Sequence, residues 1–172
     1  THIPGYKEFY EERWFNSGTS AGAGTLVLAG REVPFGTDLL FTAAGESLFK
    51  LGVEICEDLW VPAPPSSFQA MSGALLLCNL SASNEIIGKA DYRRELVRSQ
   101  SGRCQAAYVY SSAGVYESTT DLVFGGHCLI AEGGVVLEES PRFARDSNLI
   151  FQDVDLERMA NERRRLTTFT EA

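Results

Sequence analysis

The chain has 172 residues, of which 44% are hydrophobic and 22% charged, and its formal net charge is −8. These values are typical of one soluble globular domain with a sizeable core. The negative charge argues against DNA, RNA or an anionic membrane as the main partner, and no apolar run approaches the roughly 20 residues of a membrane span. The N-terminus has neither a signal peptide nor an initiator Met, so we expect that Thr1 is not the native start.

Apolar periodicity and turn residues predict the elements in chain order. Residues 7–15 are predicted to form a short helix or turn, and residues 16–24 a loop rich in Gly and Ser. The predicted strands are residues 25–28, 39–42, 47–55, 74–80, 106–111, 122–124, 128–131, 135–138 and 149–154. Helices are predicted from a cap at Ser66 or Ser67 to residue 72, over 91–105, and from the cap Asp155 to residue 166. The arginines at 163–165 would be cations in that last helical turn, favourably placed against the dipole. Strands that alternate with helices, followed by a run of strands, predict an α/β layered fold.

Cys56 stands at the end of the predicted strand 47–55 and is followed at once by Glu57 and Asp58. A cysteine at a strand end can be presented to a substrate, whereas acidic neighbours alone raise the pKa of a thiol and weaken the nucleophile. A reactive Cys56 therefore requires another group that takes its proton. The alternative is that Cys56 is a reduced core residue, because free cysteines are among the most buried residue types.

The remaining cysteines and the histidines predict no metal site. Neither a C-x-x-C pair nor a zinc-like spacing occurs, so we predict reduced thiols and a cytoplasmic location. His2 and His127 are the only histidines, and two isolated imidazoles do not supply enough ligands for a metal ion. The three other cysteines, which lie in apolar or strand-like runs, are Cys78, Cys104 and Cys128.

The segment Cys56-Glu-Asp-Leu-Trp60 resembles the nucleophile segment of the nitrilase (carbon–nitrogen hydrolase) superfamily, and it is most similar to the glutaminase domain of glutamine-dependent NAD synthetases. Four further regions extend the resemblance nearly to both ends: the opening Ile3-Pro-Gly-Tyr6 through Phe15, Asn79-Leu-Ser-Ala-Ser-Asn84 with Gly88-Lys-Ala-Asp-Tyr-Arg-Arg94, Tyr108-Val-Tyr-Ser-Ser-Ala-Gly114 with Glu117-Ser-Thr-Thr-Asp-Leu122, and Asp153-Val-Asp-Leu-Glu-Arg158 with the arginines to 165. Five ordered segments are more specific than any single motif. The resemblance implies a nitrilase-like four-layer α-β-β-α sandwich, of which residues 1–172 would be the C-terminal two thirds.

The family hydrolyses amides through a covalent acyl-enzyme, with a cysteine nucleophile, a glutamate base and a lysine that stabilises the oxyanion. The resemblance assigns the nucleophile to Cys56. The lysine would stand immediately before Thr1 and the base further upstream, and none of Lys7, Lys50 and Lys89 occupies the position of the catalytic lysine. We therefore expect a truncated piece of a glutaminase that is inactive by itself.

Three further residues would build the catalytic cleft by resemblance. Glu11 would order the catalytic lysine and the substrate amide, and Tyr6 and Trp60 would line the glutamine pocket. From residue type alone, Glu11 is equally a surface carboxylate paired with Arg13, Trp60 is equally a core residue, and an early Tyr such as Tyr6 is usually a packing residue.

By resemblance, three further residues would bind the substrate through its polar groups. The backbone N–H of Glu57 would join the oxyanion hole, and its carboxylate would hold the α-amino group. Ser83 would contact the polar end of the substrate, and Lys89 would lie near its carboxylate, at a position where the family often has Arg. The alternative for Ser83 is an ordinary turn residue, and Asp58 is interpreted as structural.

The activity implied is hydrolysis of the glutamine side-chain amide through a thioester, with release of ammonia. An ATP-dependent synthetase domain of the same polypeptide, absent here, would use that ammonia to amidate nicotinic acid adenine dinucleotide. ATP and Mg belong to that domain, and no cofactor is expected in this one because neither G-x-G-x-x-G nor a P-loop occurs. Family members assemble through this domain, which predicts a homo-oligomer, and a truncated sandwich would expose apolar surface. Two alternatives stay open: a stand-alone nitrilase-family amidase or carbamoylase, and a non-catalytic assembly scaffold.

Overall fold

The strands form one hairpin and one large sheet in a computed structural model that describes residues 13–22, 24–117 and 120–170. The strands are β1 (Gly24–Leu28), β2 (Arg31–Phe35), β3 (Phe41–Ala43), β4 (Glu46–Ile55), β5 (Leu76–Ser81), β6 (Ala107–Ser112), β7 (Leu129–Glu132) and β8 (Val135–Glu139). β1 and β2 form the hairpin, and the six others form a sheet in the order β3-β4-β5-β6-β7-β8. β4, β5 and β6 run parallel, while the flanking pairs are antiparallel.

Helices cover both faces of this mixed sheet. They are α1 (Gly18–Ala21), the 3₁₀ turn Cys56–Trp60, α2 (Pro65–Met71), α3 (Lys89–Cys104), α4 (Leu156–Arg164) and α5 (Thr167–Thr170). α2 and α3 are the crossovers that parallel strands require, and they pack on one face over Leu77 and Tyr108. α4 packs on the other face through Met159. Among the described residues, no helix combines the length and apolar character needed to cross a bilayer.

Close packing of α2 on β4 explains a glycine in the middle of that strand. A Cβ at Gly52 would lie 2.3 Å from the side chain of Gln69 in α2, so only glycine allows this approach. The side chain of Gln69 donates a hydrogen bond to the Val53 carbonyl at 2.8 Å. α2 is thereby fixed directly over the end of β4, where Cys56 follows.

The buried face of α3 is largely polar, which a search for apolar periodicity does not detect. Arg93, Gln100 and Ser101 are fully buried beside Val97 and Cys104. The side-chain amide of Gln100 donates hydrogen bonds of 2.9 Å to the hydroxyls of two serines in α2. Polar contacts of this kind fix the two crossover helices relative to each other.

Arg163 lies in the last turn of α4, as the sequence predicts, but its side chain is buried, which the sequence does not predict. Its side chain is only 8% exposed, and it donates hydrogen bonds to the carbonyl oxygens of Ala70, Ala74, Cys104 and Gln105 at 2.6–3.1 Å. These carbonyls lie at the C-terminal ends of α2 and α3, where helices leave acceptors without intrahelical partners. Arg163 therefore joins α4 to both crossover helices.

Two strand predictions are wrong, and one strand was missed. Residues 149–154 form no strand, because no neighbouring strand pairs with them in the described part of the chain. Residues 122–124 make only one isolated bridge, between Phe124 and Asn84. β2 was not predicted, since its apolar residues are interrupted by charge and proline. The predicted strands 128–131 and 135–138 are confirmed as β7 and β8, which pair in a hairpin whose Gly133-Gly134 turn has φ values of 55° and 91°.

Apolar side chains are exposed on the sheet face opposite α2 and α3. Ile55 and Leu80 are partners across β4 and β5, and they are 45% and 58% exposed. Phe41, on the edge strand β3, is 52% exposed. This agrees with the expectation that the chain exposes apolar surface.

Candidate functional site

Cys56 lies where the chain leaves β4 and enters the 3₁₀ turn. Its φ of 50° is in the left-handed region, which residues other than glycine rarely adopt, and its side chain is half-buried. The backbone N–H of Cys56 donates to Asn79 Oδ1 at 3.2 Å, and Asn79 Nδ2 donates to the Cys56 carbonyl at 3.4 Å. One residue earlier, the Ile55 N–H donates to Asp58 Oδ2 at 2.8 Å. The strained residue is thus held from both sides.

A buried polar row lies behind Cys56 on the face covered by the crossover helices. Glu54 is fully buried, accepts a 2.8 Å hydrogen bond from the Ser66 N–H, and accepts a second bond from the Tyr108 hydroxyl. Burial is the main reason that the pKa of Glu54 is raised, and the bonds from Tyr108 and Ser66 oppose it. The pKa of Tyr108 is raised well above its ordinary value by burial and by Glu54, while Asn79 lowers it. Glu54 has both oxygens engaged, so it has a structural role.

Hydroxyl groups surround the carboxyl ends of β5 and β6 beside Cys56. Ser81, Tyr110 and Ser112 have buried hydroxyl oxygens without a hydrogen bond of acceptable geometry, as judged over the described residues. The pKa of Tyr110 is raised, first by burial and also by the charge of Cys56, whereas Ser81, Arg93 and Ser83 lower it. Cys56 and Ser83 both act on the pKa of Tyr110, so these two predicted site residues lie near the same tyrosine.

An aromatic and cationic wall forms on the other side of the 3₁₀ turn. Lys89 Nζ lies 5.2 Å from the centre of the Trp60 ring, and it donates a hydrogen bond to Asn84 Oδ1. The rings of Trp60 and Tyr92 are 5.4 Å apart and tilted by 55°. A cation over an aromatic face is favourable, so Trp60 keeps the ammonium group in place. The structure thus brings the predicted residues Trp60 and Lys89 together.

Arg93 holds the segment that carries Ser83. The Arg93 side chain is fully buried, and its guanidinium group donates to Ser83 Oγ at 3.2 Å and to the Asn84 carbonyl at 3.5 Å. It also forms a 2.8 Å ion pair with Glu85. Ser83 is itself 1% exposed, so its turn is immobilised from inside the domain and does not lie loosely on the surface.

The Arg93 contacts continue to His127 on the segment before β7. Arg93 Nη1 lies 2.9 Å from His127 Nδ1, and His127 Nε2 lies 2.8 Å from Glu139 Oε1. Burial lowers the pKa of His127, with Arg93 acting in the same direction and Glu139 opposing it. Arg94 and His127 lower the pKa of Glu139. A neutral imidazole that accepts from Arg93 and donates to Glu139 satisfies this arrangement.

Two predicted site residues, Tyr6 and Glu11, lie outside the described residues. Glu57 is half-buried in the 3₁₀ turn, directly after Cys56. Sequence reasoning missed the roles of Asn79 and Arg93, although both occur in the quoted segments. For Asn79 the available signal was a polar residue inside an apolar run. For Arg93 no signal was available, because the buried face of α3 is largely polar.

A cavity lies beside α2, away from Cys56. It has a volume of about 600 Å³ and is lined by residues such as Thr37, Phe68 and Gln69, and Cys56 is not among its lining residues. Within the described ranges, no group of three or more His, Cys, Asp or Glu side chains is placed to hold a metal ion.

The geometry is suited to a nucleophile that is held at the start of a helical turn. The first N–H groups of a helix have no intrahelical acceptor, and they favour negative charge. The N–H of Cys56 already donates to Asn79. The N–H of Glu57 is therefore the next donor along the chain that could face an oxyanion, which forms on a carbonyl oxygen when a thiolate attacks its carbon. This end of the sheet therefore carries a thiol, the first N–H groups of a 3₁₀ turn and, beside Trp60 of the same turn, the ammonium group of Lys89.

Comparisons with known proteins show the family to which this chain belongs. The model of the carbon–nitrogen hydrolase family matches residues 1–164. The chain is 49% identical over 169 residues to a glutamine-dependent NAD(+) synthetase of Mycobacterium bovis, covering 98% of this chain and 25% of that protein. It is 48% identical over 171 residues to the protein of the same name from Mycobacterium leprae, covering 99% of this chain and 25% of that protein. The chain spans about a quarter of the length of these relatives.

Solved structures show the same fold. A glutamine-dependent NAD(+) synthetase from Cytophaga hutchinsonii superposes with a TM-score of 0.65 at 30% identity, covering 78% of this chain and 20% of that chain. A carbon–nitrogen hydrolase from Helicobacter pylori superposes with a TM-score of 0.71 at 19% identity, covering 99% of this chain and 56% of that chain. The predicted nitrilase-like α/β fold is thereby confirmed. Since the family match extends over nearly the whole sequence, this chain belongs to the carbon–nitrogen hydrolase family.

Proposed function

We propose that this chain is the nucleophile-bearing part of a glutaminase domain, in which Cys56 hydrolyses the side-chain amide of glutamine. The observation that carries the proposal is Cys56 itself: a half-buried cysteine in a left-handed conformation, at the carboxyl end of a parallel strand and the start of a 3₁₀ turn. The names of the relatives, which are 48–49% identical over almost the whole chain, support glutamine as the substrate.

The reaction proceeds in two steps. The thiolate of Cys56 attacks the carboxamide carbon, and the thiol proton passes to a carboxylate base, which returns it to the leaving nitrogen. The C–N bond breaks, ammonia leaves and a thioester remains. Water then attacks the thioester, its proton passes to the same base, and glutamate leaves as the thiol is restored. The N–H of Glu57 stabilises the oxyanion in both steps.

The remaining site residues bind the amino-acid end of glutamine. Lys89 pairs with the α-carboxylate, Ser83 hydrogen-bonds the polar end, and the carboxylate of Glu57 holds the α-ammonium group. Trp60 forms an apolar wall along the methylene groups of the substrate. The contact between Lys89 and Trp60, at 5.2 Å, supports a shared pocket. The family resemblance further assigns Tyr6 to the lining of the glutamine pocket and Glu11 to the ordering of the catalytic lysine and the substrate amide.

The base and the oxyanion lysine come from residues that precede Thr1 in a longer polypeptide. Exposure of Ile55 and Leu80 on one sheet face supports a second sheet that packs there. Residues 1–172 alone therefore release no ammonia from glutamine. In the intact polypeptide, a synthetase domain that uses ATP and Mg consumes the ammonia to amidate nicotinic acid adenine dinucleotide, and the domain assembles as a homo-oligomer. The full length of the relatives supports a partner domain in the same polypeptide.

The test measures ammonia release from glutamine by the intact polypeptide that carries this chain, in a coupled glutamate dehydrogenase assay. Cys56→Ala should lower kcat by roughly 10³-fold or more, because the covalent step is lost. Cys78→Ala is the matched control, since Cys78 is a half-buried thiol in the neighbouring strand, and its kcat should stay within about threefold. An electrophilic glutamine analogue should label a peptide that contains Cys56 in the wild type and in the control only.

The substrate is tested in the same assay. Glutamine should be hydrolysed at least about 100-fold faster than simple aliphatic amides or N-carbamoyl amino acids. Aliphatic amides lack both the α-carboxylate for Lys89 and the α-ammonium group for Glu57, and N-carbamoyl amino acids lack the ammonium group. Preference for either of the other substrate classes would replace the glutaminase by a stand-alone amidase or carbamoylase. Full ammonia release by Cys56→Ala, or no turnover of any amide with the upstream base and lysine present, would refute an enzymatic role for Cys56.

A further inference from the structure

We propose that Asn79 is a positioning residue for the nucleophile: its side-chain amide holds both backbone polar groups of Cys56 and fixes the left-handed conformation that presents the sulfur. This inference rests on the proposed function, because it assigns a role in the reaction of Cys56. The two residues are 23 positions apart, and only the pairing of parallel strands brings them together.

The first argument is the strain at Cys56. A φ of 50° costs free energy for a residue with a Cβ atom, and such a conformation persists only where its surroundings impose it. Asn79 supplies an acceptor for the Cys56 N–H at 3.2 Å and a donor for the Cys56 carbonyl at 3.4 Å. A planar amide that bonds both groups of one residue opposes rotation about either of its backbone dihedrals.

The second argument is that Asn79 cannot move. It lies in β5, between the parallel strands β4 and β6, with only 1% of its surface exposed. Its register partners are Glu54 on one side and Tyr110 on the other, and Tyr108 lies close enough for Asn79 to lower its pKa. Tyr108 is tied in turn to Glu54, and Glu54 to the first turn of α2. The amide is therefore backed by the core of the sheet.

The third argument concerns the oxyanion. Because Asn79 Oδ1 accepts from Cys56, the N–H of Cys56 is not available to a substrate, and the N–H of Glu57 becomes the donor next to the sulfur. Asn79 thereby sets the distance and direction between nucleophile and oxyanion donor. A displacement of about 1 Å between such groups can lower a rate by about 100-fold.

The kinetic test compares Asn79→Ala with Gln100→Ala in the intact polypeptide. Gln100 is the matched control, because it is also a fully buried side-chain amide, but it bonds serines of α2 and does not touch Cys56. Asn79→Ala should lower kcat for glutamine by at least about 10-fold per folded active site, with KM within about threefold. Gln100→Ala should keep kcat within about threefold, although both variants lose thermal stability.

The structural test does not depend on the substrate. In a crystal structure of Asn79→Ala, Cys56 should leave the left-handed region, whereas it should keep a φ near 50° in Gln100→Ala. If Asn79→Ala does not fold, Asn79→Asp is measured in its place: it keeps the acceptor for the Cys56 N–H, loses the donor to the carbonyl, and should show the same changes in smaller measure.

An unchanged Cys56 conformation in the variant, or equal losses of kcat in the Asn79 and Gln100 variants, would overturn the proposal. If the wild type releases no ammonia from glutamine, the proposed function fails, and the crystallographic comparison alone decides whether Asn79 positions Cys56.

Discussion

Replacement of Arg163 by Met should destabilise the domain by removing one cation that joins three helices. The change leaves the carbonyls of Ala70, Ala74, Cys104 and Gln105 without their shared donor. Each buried acceptor that loses its partner costs about 1–2 kcal/mol, so the gross loss is about 4–8 kcal/mol. Ala70 suffers least, because its carbonyl also accepts from the Gly73 N–H at 2.9 Å.

Part of this loss is offset because Met, unlike Arg163, brings no buried charge, and the pKa of Arg163 gives the cost of that charge. Burial lowers that pKa to about 10, and the charge of Cys104 opposes the lowering. The drop from the ordinary value corresponds to about 3 kcal/mol of unfavourable charge burial, which Met would relieve. The gross loss less this gain leaves a net loss of about 1–5 kcal/mol, which is equivalent to roughly 2–20 °C in Tm for a domain of this size.

The assay follows amide hydrogen exchange in β5 and β6 of the intact polypeptide, together with its thermal unfolding. Arg164→Met is the matched control, because Arg164 is adjacent, lies on the same helix and makes only an exposed 2.7 Å bond to Asn161. The control should change stability by no more than about 0.5 kcal/mol. Equal effects of Arg163→Met and Arg164→Met would refute the argument, since the helix ends would then need no common donor.

Three further predictions concern the site. Lys89→Ala should raise KM for glutamine by about 10-fold with a smaller change in kcat. Lys89→Arg should have a KM close to that of the wild type, because either cation can pair with a carboxylate. A fall in kcat alone, measured by steady-state kinetics, would contradict this role. Arg93→Lys should also raise KM, because one ammonium group cannot satisfy Ser83, Glu85 and His127 together. Its effect on KM should be smaller when Ser83→Ala is already present, and fully additive losses would refute the shared role of Arg93 and Ser83. His127→Gln should reduce the amount of stability that the domain loses when the pH is lowered. The pKa of His127 is lower in the folded state than its unfolded value of about 6.5. The imidazole therefore contributes stability above the unfolded pKa, and this contribution is lost as the pH falls through the folded pKa. Tm values between pH about 7 and about 5 that fall in parallel for wild type and variant would contradict this assignment.

The sequence predicted the central part of the fold from local patterns. The strands that became β4, β5 and β6 are long apolar or alternating runs, and the helices between them carry turn residues at their starts. Asp155 was predicted as a helix cap, and its side chain accepts from the Arg158 N–H at 2.8 Å. These predictions succeeded because apolar periodicity and capping residues act over a few neighbouring residues.

The same local patterns failed where an element needs a partner far along the chain. Residues 149–154 have the composition of a strand, with Leu149 and Phe151 more than 80% exposed, but a strand forms only when another strand supplies its hydrogen bonds. The sequence predicts Arg163 as a cation in the last turn of a helix, but not what its guanidinium group contacts. Its actual partners lie at residues 70–74 and 104–105, which sequence order does not connect to it.

By itself the sequence determined the family, the position of Cys56 at the end of a strand, and the residue types around it. Tertiary structure alone decided that Asn79 holds the backbone of Cys56, that Arg93 holds the turn of Ser83, and that Trp60 lies under Lys89. The physical reason is that a polar side chain in a buried segment must find a hydrogen-bond partner, but periodicity does not say which one. That choice follows from the register of β4, β5 and β6 and from the packing of α3, which bring together residues separated by many positions.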